Sequence, residues 1–203
     1  MSIFFSYIEI LGAFAMAISG ALTAIKMRFD GFGIVIIAFV TAVGGGTLRD
    51  VITNREVFWL SNSTLIYSIF FGTFLAIILK SKQKLIYRPL MFFDAIGLGF
   101  FTIVGVEIGI SQDLDMIFCI ILGAMTGTFG GVLRDILVNE IPVIFRKEIY
   151  ATVSIVGGII YYSLKFTDLP LIWIKLIPII FIISSRLVVL KLNLSLPSIY
   201  SKK

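Results

Sequence analysis

Two segments share one pattern, Gly45-Gly46-Thr47-Leu48-Arg49-Asp50 and Gly130-Gly131-Val132-Leu133-Arg134-Asp135, and each lies inside a long apolar run. An ionisable side chain in such a run costs ~2.5–3.5 kcal/mol to place at membrane depth and faces a cavity or a partner there. Arginine beside aspartate offers electrostatics rather than bond-making: such groups hold, steer or exclude ions. Covalent chemistry lacks its usual residues. There is no histidine and one cysteine, Cys119, which removes disulfides, His/Cys zinc sites and every Ser-His or Cys-His nucleophile. No catalytic residue, no cofactor and no fixed metal site is expected.

The elements that must position these charges follow from composition. Of 203 residues, 59% are apolar and 14% charged, and the mean hydropathy is +1.06. A soluble domain of ordinary composition is roughly 45–50% apolar and about 25% charged. The chain is therefore read as an all-α, multi-pass protein of the cell membrane, in one transmembrane domain. The net charge of +5 does not point to nucleic acid, because the basic residues punctuate the apolar runs instead of gathering on one face. A spanning helix needs about 20 apolar residues. The sequence supplies seven such spans, near 3–26, 32–53, 62–80, 89–111, 115–138, 148–166 and 170–190.

Lysine and arginine set the orientation. One side collects Lys26, Arg28, Lys80, Lys82, Lys84, Arg88, Arg146, Lys147, Arg186, Lys191, Lys202 and Lys203, whereas the other shows Arg55, Lys165 and Lys175. The expectation is an N-terminus outside and a C-terminus in the cytoplasm. Glu107 and Lys175, near span ends, read as snorkelling side chains.

Arg49 and Arg134 are 85 residues apart, and the same offset relates Gly12 to Gly97, Gly20 to Gly105, Asp30 to Asp115, Thr41 to Thr126 and Asn54 to Asn139. Coincidence of Gly, Asp and Asn is far less common between apolar segments than coincidence of Ile or Leu. The chain thus reads as a three-helix repeat over 1–84, a second over 85–168, and a seventh helix with a tail over 169–203. With three spans each, the two repeats enter the membrane from opposite sides. In such inverted repeats the transport site lies at the repeat interface near the midplane.

Inversion puts Glu9, Arg49 and Asp50 in an outer layer and Asp94, Arg134 and Asp135 in an inner one. Neighbouring helix positions point about 100° apart, so Glu9 is the expected partner of Arg49, and Asp94 of Arg134. Fully ionised, each layer has two acids and one base, which attracts cations; alternatively these are structural ion pairs that conduct nothing. Gly44, Gly45, Gly46, Gly130 and Gly131 either interrupt their helices and free carbonyls toward a wet passage or only let helices pack closely. Thr41 and Thr126, with Ser19, Thr23, Thr102 and Thr128, are candidates for a hydroxyl lining between the layers.

Together, the twin motifs, GGGTLRD in span 2 and FGGVLRD in span 5, resemble those of the prokaryotic branch of the trimeric intracellular cation (TRIC) channel family, and of small bacterial membrane proteins grouped as glycine transporters. The resemblance implies a homotrimer whose subunits each carry an hourglass pore of spans 1, 2, 4 and 5. That pore would be kinked at Gly44, Gly45, Gly46, Gly130 and Gly131, would pass potassium, sodium and other monovalent cations, and would be bounded by membrane lipids. The lysine-containing lipid-headgroup motif of animal members is missing from span 5, and Phe129 stands where the first motif has Gly44. A carrier for glycine or another small solute, and a non-transporting scaffold, are the competing readings.

Overall fold

Five described residues just past helix ends have left-handed backbone, and four of them, all but Asn193, form two pairs. Arg28 and Asp113 have φ of 62° and 55°, and Asn54 and Asn139 have φ of 50° and 58°; each pair is separated by the 85-residue offset. Around Asn54 the Thr53 and Arg55 amides donate to the Arg49 and Asp50 carbonyls, and around Asn139 the Val138 and Glu140 amides do the same to Arg134 and Asp135. Repeated sequence has produced the same cap twice.

Between these stops, the computed structural model describes residues 3–79, 87–146 and 149–195, which form α1 (Ile3–Lys26), α2 (Gly31–Ile52), α3 (Ser63–Leu79), α4 (Tyr87–Ser111), α5 (Met116–Leu137), α6 (Ala151–Lys165) and α7 (Leu171–Leu192). Five of them, α1, α2, α4, α5 and α7, are long and apolar enough to cross a membrane. The protein is a seven-helix, all-α membrane protein. Lys80, Lys82, Lys84, Lys147, Lys202 and Lys203, on which part of the expected orientation rests, lie outside the described residues.

The third helix of each set is short. At ~1.5 Å per residue, the 17 residues of α3 and the 15 of α6 fall below the ~30 Å hydrocarbon thickness. Expected span 148–166 begins late because the preceding segment turns back first: the Val143 amide donates to the Asp135 carboxylate, and Val143–Phe145 form a 3₁₀ turn.

At the centre α1 packs on α2, α3 and α4, while α4 packs on α5, α6 and α7, and α2 crosses α5. Two buried apolar clusters fill these contacts, one built around α4, α6 and α7 and the other around α1, α2 and α3. Outward faces carry Phe32, Tyr67, Phe71, Phe74 and Ile117, as a lipid-facing surface should. Arg186, counted above with the basic tail, is instead buried within α7, donates to the Ile149 carbonyl and stacks over the Tyr150 ring.

Candidate functional site: two repeat-related charge clusters

Glu9 on α1 and the Arg49-Asp50 pair near the end of α2 meet on one side of the molecule, all three buried. Arg49 donates through Nε to Asp50 Oδ1 at 2.8 Å and through Nη2 to Oδ2 at 3.1 Å, and lies 3.6 Å from Glu9 Oε1. Asp50 also accepts the Phe58 amide at 2.9 Å, and the Phe58 ring sits under the guanidinium at 5.1 Å. Glu9 Oε1 and Arg49 Nη1 are buried without a hydrogen-bond partner. Both residues line an open cleft of about 450 Å³ that also includes Asp50, Arg55, Glu56 and Phe58.

The repeat-related cluster is tighter. Arg134 donates to Asp94 at 2.8 Å, Ser19 at 2.9 Å and Asp135 at 2.9 Å, and Asp135 accepts the Val143 amide at 3.1 Å. The position related to Ser19 by the 85-residue offset is Val104, which offers no acceptor, and Glu9 stands where the second cluster has Asp94; with these two differences the first cluster is under-satisfied. The adjoining cleft is only about 80 Å³, and Lys26 and Arg146 line it with Arg134, Asp135 and Glu140. Arg146 there is paired with Glu140 at 2.9 Å.

The expected partners, Glu9 for Arg49 and Asp94 for Arg134, are in place. The expectation that each arginine would avoid its neighbouring aspartate is corrected. Both arginines bind that residue, because a long guanidinium side chain curls across the ~100° between adjacent positions, and the aspartate is already turned toward the loop amide it accepts.

The glycine motifs also differ from the interrupted helix. Both α2 and α5 are α-helical without a break through Gly44, Gly45, Gly46, Gly130 and Gly131. A Cβ on Gly45 would overlap the Thr126 carbonyl oxygen, and one on Gly130 the Thr41 carbonyl oxygen. The two helices thus cross with backbone against backbone, and these glycines permit that close packing.

Most of the hydroxyl hydrogens of the expected lining are engaged within the protein. Thr41, Thr126, Thr128 and Thr23 donate to the carbonyls four residues back on their own helices, while Thr102 bonds Ser154 across α4 and α6 at 2.6 Å. Ser19 belongs to the Arg134 cluster. Thr41 packs on Gly20, and Thr126 on Gly105, so a threonine fills each α1–α2 and α4–α5 contact. Between the clusters sit Met16 and Phe101, fully buried positions related by the repeat offset. Met16 presses on Gly97 and reaches Gly130; Phe101 meets Gly12 and stands edge-on to Phe58 at 6.4 Å. Both side chains are apolar and sealed from solvent.

The sequence reading missed Phe58 and Val143 as ligands of the aspartates. Their signal was available: each lies eight residues after its aspartate.

A family model described as "Glycine transporter" matches the chain twice, over residues 6–81 and 91–165. The inner membrane protein YadS of Escherichia coli is 34% identical over 195 residues, covering 95% of this chain and 94% of that protein. A membrane protein of Vibrio cholerae is 38% identical over 156 residues, covering 76% of this chain and 65% of its own length. Among solved structures, the trimeric intracellular cation channel orthologue from Rhodobacter sphaeroides superposes with a TM-score of 0.87 at 31% identity, covering 95% of this chain and all of that one. The twin charge clusters, the twofold match and these likenesses agree: the chain belongs to the glycine-transporter family of membrane proteins and has the fold of the prokaryotic TRIC channels.

Proposed function

We propose that the protein is a monovalent-cation channel, potassium its main ion, working as a homotrimer in which every subunit has its own pathway through α1, α2, α4 and α5. The observation that carries this reading is Glu9 Oε1, a buried carboxylate oxygen without a hydrogen-bond partner at an open cleft with three carboxylates and two guanidinium groups. An oxygen so placed meets a partly hydrated cation, and the net negative wall concentrates cations while repelling anions. Similarity to solved cation channels supports the reading. In this reading the buried Met16 and Phe101 form the constriction, and conduction requires those side chains to move aside. Glu9, Arg49 and Asp50 form the mouth in this account, Asp94, Arg134 and Asp135 the opposite end, with the first cluster outside and the C-terminus in the cytoplasm.

A carrier for glycine or a similar solute is the second reading, favoured by such a constriction between two clefts, which alternating access also uses, and by the family description. Potassium efflux from loaded vesicles into which the protein has been reconstituted separates the two. The channel reading expects rapid, non-saturating efflux collapsed by no solute gradient; saturable uptake of labelled glycine without such efflux overturns it.

A further inference from the structure

Lys175 is 3% exposed and points into the protein one turn after α7 begins. Its ammonium lies 4.3 Å from the Phe4 ring centre and 4.1 Å from that of Phe5. Ring faces attract the charge but accept none of its three N–H bonds in the plane-directed way an oxygen does. No oxygen among the described residues is recorded as its hydrogen-bond or ion-pair partner.

The nearest acid is already engaged. Glu107 holds Lys165 through both oxygens at 2.8 Å and accepts the Tyr161 hydroxyl at 2.7 Å. What remains is a cavity of about 340 Å³, distinct from the Glu9 cleft in its α7 wall, lined by Lys175, Arg55, Ser111, Phe5 and the neutralised Glu107. Lys175, which has no oxygen partner among the described residues, and the exposed Arg55, which also borders the Glu9 cleft, converge on it. A buried charge calls for an opposite charge and hydrogen bonds, and a lysine–arginine pair is suited to an oxyanion. Two residues before Lys175, Trp173 is half exposed, the placement of an indole at headgroup depth.

We propose that this cavity is a binding site for a phosphate-class oxyanion, with Lys175 as the buried anchor and Arg55 as the arm that closes over it. The phosphate is either a free ion or the headgroup of an anionic lipid. The site shares Arg55 with the Glu9 cleft, but anion binding at Lys175 does not depend on cation passage.

The test uses the full chain in nanodiscs of phosphatidylcholine, titrated calorimetrically with inorganic phosphate, and native mass spectrometry of the protein after exposure to phosphatidylglycerol. Lys175→Met should weaken binding by about tenfold or more, and Arg55→Gln by several-fold, as expected for loss of charge-assisted hydrogen bonds, while Lys191→Gln at the far end of α7 should change nothing. Heat from inorganic phosphate identifies a free anion as ligand; retained phosphatidylglycerol without that heat identifies the lipid headgroup. No binding of either probe, or equal binding by wild type and Lys175→Met, overturns the proposal. If Lys175→Met does not elute as folded protein, Arg55→Gln decides, because Arg55 is exposed in a loop, and unchanged affinity there is equally fatal.

Discussion

Adding one methyl group at Gly45 tests the backbone-to-backbone crossing of α2 and α5. An alanine there gains roughly 1 kcal/mol of intrinsic helix preference. Against that stands a Cβ overlapping the Thr126 carbonyl oxygen, an atom of helix backbone that cannot rotate aside. Overpacking a well-filled core costs typically ~1–3 kcal/mol, and a backbone obstacle belongs at the upper end. Gly45→Ala should therefore destabilise by about 2 kcal/mol net, or roughly 4–8 °C in Tm for a chain of this size. Gly130→Ala meets the Thr41 carbonyl in the same way and should behave alike. Because both methyls wedge one crossing apart, the double substitution should cost less than the sum of the singles. Gly31→Ala, at the exposed start of α2 with nothing near its Cβ, should be neutral or stabilise by about 0.4–1 kcal/mol. Thermal unfolding of the detergent-solubilised protein reads all four. Gly45→Ala and Gly130→Ala melting at or above wild type would refute the close-contact role of these glycines.

The unequal clusters predict unequal responses to neutralisation. Asp94→Asn weakens a buried 2.8 Å ion pair and should lower stability by more than 1 kcal/mol, since truncating one side of such a pair costs up to ~3–5 kcal/mol; Glu9→Gln, whose pair is at 3.6 Å, should change stability far less yet reduce cation flux. Denaturation and vesicle efflux measured on both variants check this. Phe101→Ala and Met16→Ala should each open the constriction and raise potassium efflux, at about 2–5 kcal/mol of stability for the cavity left; unchanged efflux from folded protein would place the barrier elsewhere. Thr102→Val breaks the hydroxyl pair with Ser154 and should cost near 0.6 kcal/mol, the mean for such bonds between membrane helices, measured by a double-mutant cycle with Ser154→Ala.

Much of the fold was legible because the membrane forces apolar length and the repeat doubles every signal. Spans near 3–26, 32–53 and 89–111 lie within two residues of α1, α2 and α4. Charge pairing was half legible. The distant partners of Arg49 and Arg134 followed from the repeat, but their bonds to Asp50 and Asp135 depend on side-chain reach and on the Phe58 and Val143 amides, which helix periodicity does not encode. The glycines stayed open to two readings: their sequence spacing is equally that of a wet lining and of a tight crossing, and the carbonyls opposite Gly45 and Gly130 show the tight crossing. The threonine hydroxyls bond their own helices, which spacing alone does not reveal. The late start of α6 was hidden because Ile149 and Tyr150 are as apolar as the helix they precede.

The most direct test of the central claim is single-channel recording from reconstituted protein in asymmetric KCl. Unitary currents should reverse near the potassium equilibrium potential, with smaller conductance in Glu9→Gln. Absence of currents, or reversal near the chloride potential, would contradict a cation pathway past Glu9.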